Sequence, residues 1–190
     1  MPSVPVPRIH ILGASGSGTT TLAMALARRH RLDHLDTDDF FWQPTDPPFS
    51  IKRPADERLA LLAAALDAAA SGWVLSGSLA GWGDPLIARF DLVVFLFVEP
   101  AIRLARLNER ERRRYGDAIA PGGPMHETHV AFMRWSAAYD SAGMEMRSRA
   151  LHEAWLARLP GAVLRLDGAQ PIETLVERVE RFVTTINASV

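Results

Sequence analysis

Apolar residues recur along this chain in two rhythms, and their alternation carries the first prediction. Arg8-Ile9-His10-Ile11-Leu12, Trp73-Val74-Leu75-Ser76, Asp91 to Val98 and Val163 to Asp167 are apolar-rich runs of strand length. Runs of this kind suit parallel strands covered on both faces. Between them, Thr20 to Arg31, Pro54 to Ser71, Ala101 to Arg114, His126 to Tyr139, Ser148 to Arg158 and Pro171 to Asn187 read as helices. In the first of these, Leu22, Ala25, Leu26 and Arg29 fall at helical spacing, and in the second a leading Pro and a trailing Gly72 mark the usual helix asymmetry. Asp33-His34-Leu35-Asp36 adds a short strand running into an acidic turn, Thr37-Asp38-Asp39. Phe40, Phe41 and Trp42 follow, and Pro44, Pro47 and Pro48 break any helix there. Strands alternating with helices predict a doubly wound α/β fold.

The junction of the first strand and first helix holds Gly13-Ala14-Ser15-Gly16-Ser17-Gly18-Thr19-Thr20-Thr21. In the pattern G-x-x-x-x-G-K-[ST], glycines let successive backbone N–H groups point into one concavity that accepts phosphate oxygens, above the positive end of a helix dipole. Gly13 and Gly18 have the required spacing, Gly16 adds backbone freedom, and Thr20 is the hydroxyl expected to ligate magnesium. Ser15, Ser17, Thr19 and Thr21 complete the predicted phosphate cradle. The departure is Thr19, which stands where the phosphate-reaching lysine normally lies. A flexible Gly/Ser linker is the competing reading, but linkers are not clasped between a buried strand and an amphipathic helix.

Composition narrows the setting. With 190 residues, 48% of them hydrophobic, the chain suits one domain, 1–190, with a lid insertion at about 108–126. A formal charge of −1 gives no general reason to expect nucleic acid or an anionic membrane as partner. The absence of cysteine excludes disulfides, thiolate zinc sites and thiol nucleophiles. Met1 to Pro7 lacks the apolar core of a signal peptide and Val93 to Val98 is too short to span a bilayer, so a cytoplasmic protein is expected. Among 21 basic residues the sole lysine is Lys52. A coding preference for arginine would put Arg at position 19 and does not explain Thr.

The order of these pieces resembles the small P-loop kinases, adenylate kinase, shikimate kinase and gluconate kinase among them. The resemblance implies a five-stranded parallel sheet of order 2-3-1-4-5 with a helical lid, nucleotide over the loop and acceptor beside it. Asp36 and Asp38 match the Asp-x-Asp pair that shikimate-kinase-like proteins carry for magnesium and the acceptor hydroxyl. This implies Asp38 as base and Asp36 as an indirect magnesium ligand, with Asp39 able to replace either; a helix N-cap is the alternative for a member of this cluster. Ser76, Gly77 and Ser78 resemble the small-residue turn beside the phosphate loop and imply acceptor contacts, although such turns also occur for conformational reasons. Trp42 and Trp82 are candidates to wall the acceptor pocket. Arg103, Arg106, Arg110 and Arg114 share one helical side, and the resemblance makes Arg110 and Arg114 lid arginines that stabilise transition-state charge. The alternative is a solvated surface with Glu109 and Glu111. Gly168 and Ala169 resemble the loop that contacts the nucleobase.

The activity implied is magnesium-dependent phosphoryl transfer from ATP, or another nucleoside triphosphate, to a small hydroxyl-bearing metabolite or a nucleotide. The acidic strand end favours a polyol-like acceptor over a nucleoside monophosphate. A nucleotide-binding or sensing module, or a weak NTPase, is the alternative, because losing one preorganised donor commonly costs ~10²–10³ in rate. Arg113, Arg114 or Arg147 is the expected source of substitute charge. A zinc site at His126-Glu127-Thr128-His129 is disfavoured, since its histidines are three apart rather than four. Expected partners are nucleotide and acceptor, without nucleic acid or membrane, in a monomer or homodimer.

Overall fold

The computed structural model describes residues 7–188. Met1 to Val6, on which most of the N-terminal reading rests, lie outside them. The strands are β1 (Arg8–Gly13), β2 (Asp33–Asp36), β3 (Trp73–Ser76), β4 (Leu92–Phe97) and β5 (Ala162–Asp167), all parallel, in the order β2-β3-β1-β4-β5. The helices are α1 (Thr19–His30), α2 (Thr37–Phe41), α3 (Ala55–Ala68), α4 (Pro100–Tyr115), α5 (His126–Ala137), α6 (Arg149–Leu156) and α7 (Ile172–Ala188). Among the described residues no helix is long and apolar enough to cross a membrane.

The two-residue period of the strands divides the core between the faces of the sheet. Ile9 and Ile11 of β1 and Val94 and Leu96 of β4 pack with Leu22 and Leu26 of α1 and with Leu175 and Val179 of α7. Leu12, Leu75, Val93 and Phe95 turn the other way, onto Leu62 and Leu66 of α3 and Trp155 and Leu156 of α6. A sheet buried on both faces explains why the strands read as continuous apolar runs rather than alternating ones.

Three local readings change. The buried face of α1 is Leu22, Ala23, Leu26 and Ala27, while Arg29 projects outward to pair with Glu180 of α7. The acidic turn is a helix, α2, because the Asp36 side chain caps it by accepting from the Asp38 N–H at 3.0 Å. On α4 the buried residues are Arg103, Leu107 and Glu111, so two of its inward positions are charged. The stretch at 108–126 comprises the end of α4, a short 3₁₀ turn over Gly116–Ile119 and the turn into α5.

Candidate functional site

The loop between β1 and α1 takes its shape from Gly16 and Gly18, whose φ angles of 84° and 93° lie in the left-handed region that side chains avoid. A Cβ on Gly16 would lie 2.6 Å from the Arg103 carbonyl oxygen, and one on Gly168 would lie 2.7 Å from the Ser17 carbonyl oxygen. The loop is therefore seated on α4 at one side and on the turn after β5 at the other. Gly16, Ser17, Gly18, Thr19, Thr20 and Thr21 line a cavity of about 770 Å³. Gly13 lies beneath it in the core, where a Cβ would meet Ser17 Oγ at 2.5 Å. Ser15 faces a second cavity, and Ser17 Oγ is buried with no hydrogen-bond partner.

Asp36 ties this loop to the end of β2. Its Oδ2 accepts from Thr20 Oγ1 at 3.0 Å and from Ser76 Oγ at 2.6 Å, while Oδ1 caps α2. His34 Nε2 lies 3.0 Å from the same Ser76 hydroxyl. The oxygen that holds Thr20 and the helix cap thus belong to one carboxylate. Asp38 and Asp39 also line the first cavity. Burial pushes the Asp38 carboxyl above its usual range, opposed by the positive charge of Arg147, and the Trp42 side chain approaches it as a hydrogen-bond donor. Asp39 is raised by burial first and by Asp36 second.

The second cavity, about 670 Å³, shares Asp38, Phe49, Arg110 and Arg114 with the first. Its walls include Phe41, Trp42 and Trp82, which meet edge to face at centroid distances of 5.0 and 5.9 Å, and the stacked pair Phe132–Trp135 of α5. Phe40 turns to the core instead. Arg147, just before α6, lines this cavity with its guanidinium 5.6 Å from the Trp135 ring centre. Burial lowers its pKa, with Asp38 the largest opposing influence. Its environment contains carboxylates, but no ion pair within 4 Å closes on it among the described residues.

The α4 arginines do different work despite their shared spacing. Arg103 is buried and donates to the Ser136 carbonyl at 3.0 Å and to Asp140 Oδ2 at 2.8 Å, so it buttresses the loop rather than reaching a phosphate. Arg106 donates to the Gly168 carbonyl at 2.8 Å while lining the first cavity. Arg110 is held by Glu111 at 2.8 Å, and Arg114 lies over the rings of Phe49 and Tyr115. Arg113 pairs with Glu109 at the surface, as a mixed charge run does.

Several expected contacts fall elsewhere. Ser76 is fully buried and spends its hydroxyl on Asp36, outside both cavity linings. Gly77, at φ 103°, lines neither cavity, and a Cβ there would overlap Thr37 Oγ1. Ser78 faces inward to His152 Nε2 at 2.8 Å, and Tyr139 Oη holds the other ring nitrogen at 2.8 Å. Burial lowers the His152 pKa to about 3, so it is a neutral core histidine. At the expected nucleobase loop, Gly168 lines the first cavity beside Gln170, whereas Ala169 lies outside it, its N–H bonded to Asp167. His126 contacts the Ile119 carbonyl at 3.1 Å, apart from His152. Arg106, Phe132 and Trp135 were not marked as site residues by the sequence; the disfavoured histidine pair at the start of α5 says nothing of its rings, and only the helix's position across the cavity reveals them.

A family model described as an AAA domain matches residues 9–122. The protein named Uncharacterized protein YqaC of Bacillus subtilis (strain 168) is 46% identical over 177 residues, 93% of this chain and 97% of that one. The chain belongs to this AAA domain family. Its fold is that of the small P-loop kinases. A sugar kinase from Janibacter sp. HTCC2649 is 20% identical with a TM-score of 0.55, covering 97% of this chain and 98% of its own. A gluconokinase from Sinorhizobium meliloti 1021 gives 18% and 0.54, covering 97% and 95%. Shikimate kinase from Aquifex aeolicus vf5 gives 14% and 0.57, covering 96% and 99%.

Proposed function

We propose that this protein is a kinase that moves the terminal phosphoryl group of ATP, or another nucleoside triphosphate, to the hydroxyl of a small metabolite. The observation that carries the reading is the meeting of two cavities at Asp38, one lined by the phosphate loop and the other by aromatic side chains. The loop amides and the N-terminus of α1 bind the phosphates, and Arg106, Arg110 and Arg114 face them from α4. Gly168 and Gln170 border the nucleobase end. Thr20 and Asp36 supply neighbouring oxygens suited to a hard cation, directly or through water. Magnesium bound there would neutralise charge on the bridging phosphate oxygens. Asp38 holds the acceptor hydroxyl and takes its proton; a carboxyl raised by burial is a better acceptor for that proton than an exposed one.

Thr19 supports a second reading, a nucleotide-binding module with little turnover, because its hydroxyl carries no charge. Both readings describe a cytoplasmic protein, monomeric or homodimeric, acting on small molecules without nucleic acid or membrane. The test is ADP formation from Mg-ATP by the wild-type chain and by Asp38→Asn, with and without a metabolite pool, beside ATP binding by calorimetry. Acceptor-dependent ADP lost in Asp38→Asn supports the kinase. ATP binding without acceptor-dependent ADP favours the module, and no ATP binding ends both readings.

A further inference from the structure

The second cavity is built for a particular kind of acceptor. Its rings come from separated parts of the chain: Phe41 and Trp42 at the end of α2, Trp82 after β3, and Phe132 with Trp135 on α5. Of these, Trp42 approaches the Asp38 carboxyl and Trp135 lies 5.6 Å from the Arg147 guanidinium. Ring faces and edges of this kind favour offset or edge-on contact with another flat ring.

Some of the polar groups of this cavity are already engaged. Glu111 is taken by Arg110, Glu145 accepts from the Gly143 N–H, and Arg114 is stacked over two rings. Asp38, approached by the Trp42 side chain as donor, and the Arg147 guanidinium lie in this cavity with His129, whose Nδ1 is buried and unpartnered; Ser15, Lys52, Tyr115 and Thr128 complete its polar lining. A polyol hydroxylated at every carbon asks for a partner at every carbon, and each buried hydroxyl left unpaired costs roughly ten-fold in affinity. A flat ring bearing a hydroxyl instead matches the walls supplied by Phe41, Trp42, Trp82, Phe132 and Trp135.

We infer that the acceptor is an aromatic alcohol of up to nucleoside size, its ring against Trp82 and Trp135 and its reacting hydroxyl between Asp38 and Arg147. This replaces the polyol-like acceptor expected from the acidic strand end, and it rests on the kinase reading for the transfer step. In that step the acceptor oxygen bonds to the γ-phosphorus as the bond from that phosphorus to the ADP oxygen breaks, and the hydroxyl proton passes to Asp38. Arg147 is cationic and, among the described residues, not locked in an ion pair within 4 Å, so it neutralises the phosphoryl oxygens arriving beside Asp38.

The test is calorimetric binding by the full-length wild-type chain, saturated with a non-hydrolysable ATP analogue, of thymidine, adenosine, pyridoxine and benzyl alcohol. Cyclohexanemethanol, glycerol and gluconate serve as saturated counterparts. At least one aromatic alcohol is expected to bind at least ten-fold more tightly than every saturated compound, and Trp135→Leu and Trp82→Leu each to weaken it about ten-fold. Arg147→Gln, which leaves the ring walls in place, is expected to weaken it too; circular dichroism and urea midpoints establish that the variants fold. Tighter binding of a saturated polyol overturns the inference, as does aromatic binding indifferent to all three substitutions. The tests separate the claims. Aromatic binding without any ADP formation from Mg-ATP removes the kinase reading and keeps the ligand class, whereas ADP formation with a polyol alone does the reverse.

Discussion

Replacing Arg103 is expected to loosen the phosphate loop from behind. Its guanidinium is fully buried, donates to the Ser136 carbonyl and Asp140, and lies 5.3 Å from the Tyr139 ring centre. A longer contact of 3.4 Å reaches the Ser15 carbonyl, and the Arg103 backbone carbonyl sits where a Cβ on Gly16 would go. Arg103→Met keeps most of the volume, so its cost is mainly polar. Breaking a buried ion pair by removing one partner costs about 3–5 kcal/mol. Asp140 is 22% exposed, so water recovers part of the loss, and about 3 kcal/mol is expected. For a chain of 190 residues that corresponds to roughly 6–12 °C in melting temperature. Asp140→Ala strands the guanidinium instead, and the double variant is expected to cost at least about 1 kcal/mol less than the sum of the two. The assay is urea unfolding of the four proteins, with ATP affinity measured on each. Arg103→Met should lose both stability and affinity. Wild-type values for Arg103→Met, or strict additivity in the cycle, would refute the reasoning.

Three further outcomes are expected. His10 and His152 have pKa values lowered to about 4 and about 3, chiefly by burial, against about 6.5 unfolded. The unfolded chain therefore binds more protons below pH 6.5, and stability present above that pH is lost on acidification by about 1.4 kcal/mol per pH unit for each histidine. Asp38 and Asp39, both raised chiefly by burial, oppose this. Urea midpoints should fall between pH 7 and pH 5, with a smaller fall in His152→Gln; equal midpoints would count against the buried neutral pair. Asp36→Ala removes the α2 cap and the acceptor for Thr20 and Ser76, and should cost about 2 kcal/mol in urea unfolding. Gly77→Ala, at φ 103° with Thr37 Oγ1 in the way, should cost about 3 kcal/mol, and Thr37→Ala in the same chain should recover part of it.

Much of the fold could be read from the chain because its elements obey local rules. Double-sided burial makes β1, β3 and β4 continuous apolar runs, and Gly16 and Gly18 announce the loop. The strand order is a different matter: it came from resemblance, since alternation alone does not choose among doubly wound orders. The acidic segment after β2 hid a helix, because its cap is the Asp36 side chain rather than any apolar period. The α4 arginines hid their differences, because identical residues at helical spacing separate only when tertiary neighbours do: Arg103 meets Asp140 while Arg110 faces the cavities. Ser76 and Ser78 looked like ligand contacts because a buried hydroxyl network leaves no periodic trace. Arg147 was one of three arginines expected to supply substitute charge, and only the tertiary structure sets it apart from Arg113 and Arg114 by its influence on Asp38.

The proposed kinase requires positive charge that Thr19 does not carry, and we propose that the α4 arginines lining the first cavity supply it. Arg110 is the sharpest probe because it lines both cavities and its side chain, 52% exposed, is held among the described residues by the neighbouring Glu111. The measurement is acceptor-dependent kcat for the wild type, Thr19→Lys, Arg110→Ala and the double variant. Arg110→Ala is predicted to lose about 10²-fold, and Thr19→Lys to restore at least ten-fold of that loss in the double variant. Wild-type turnover by Arg110→Ala, with no gain from the lysine in either background, would contradict the claim.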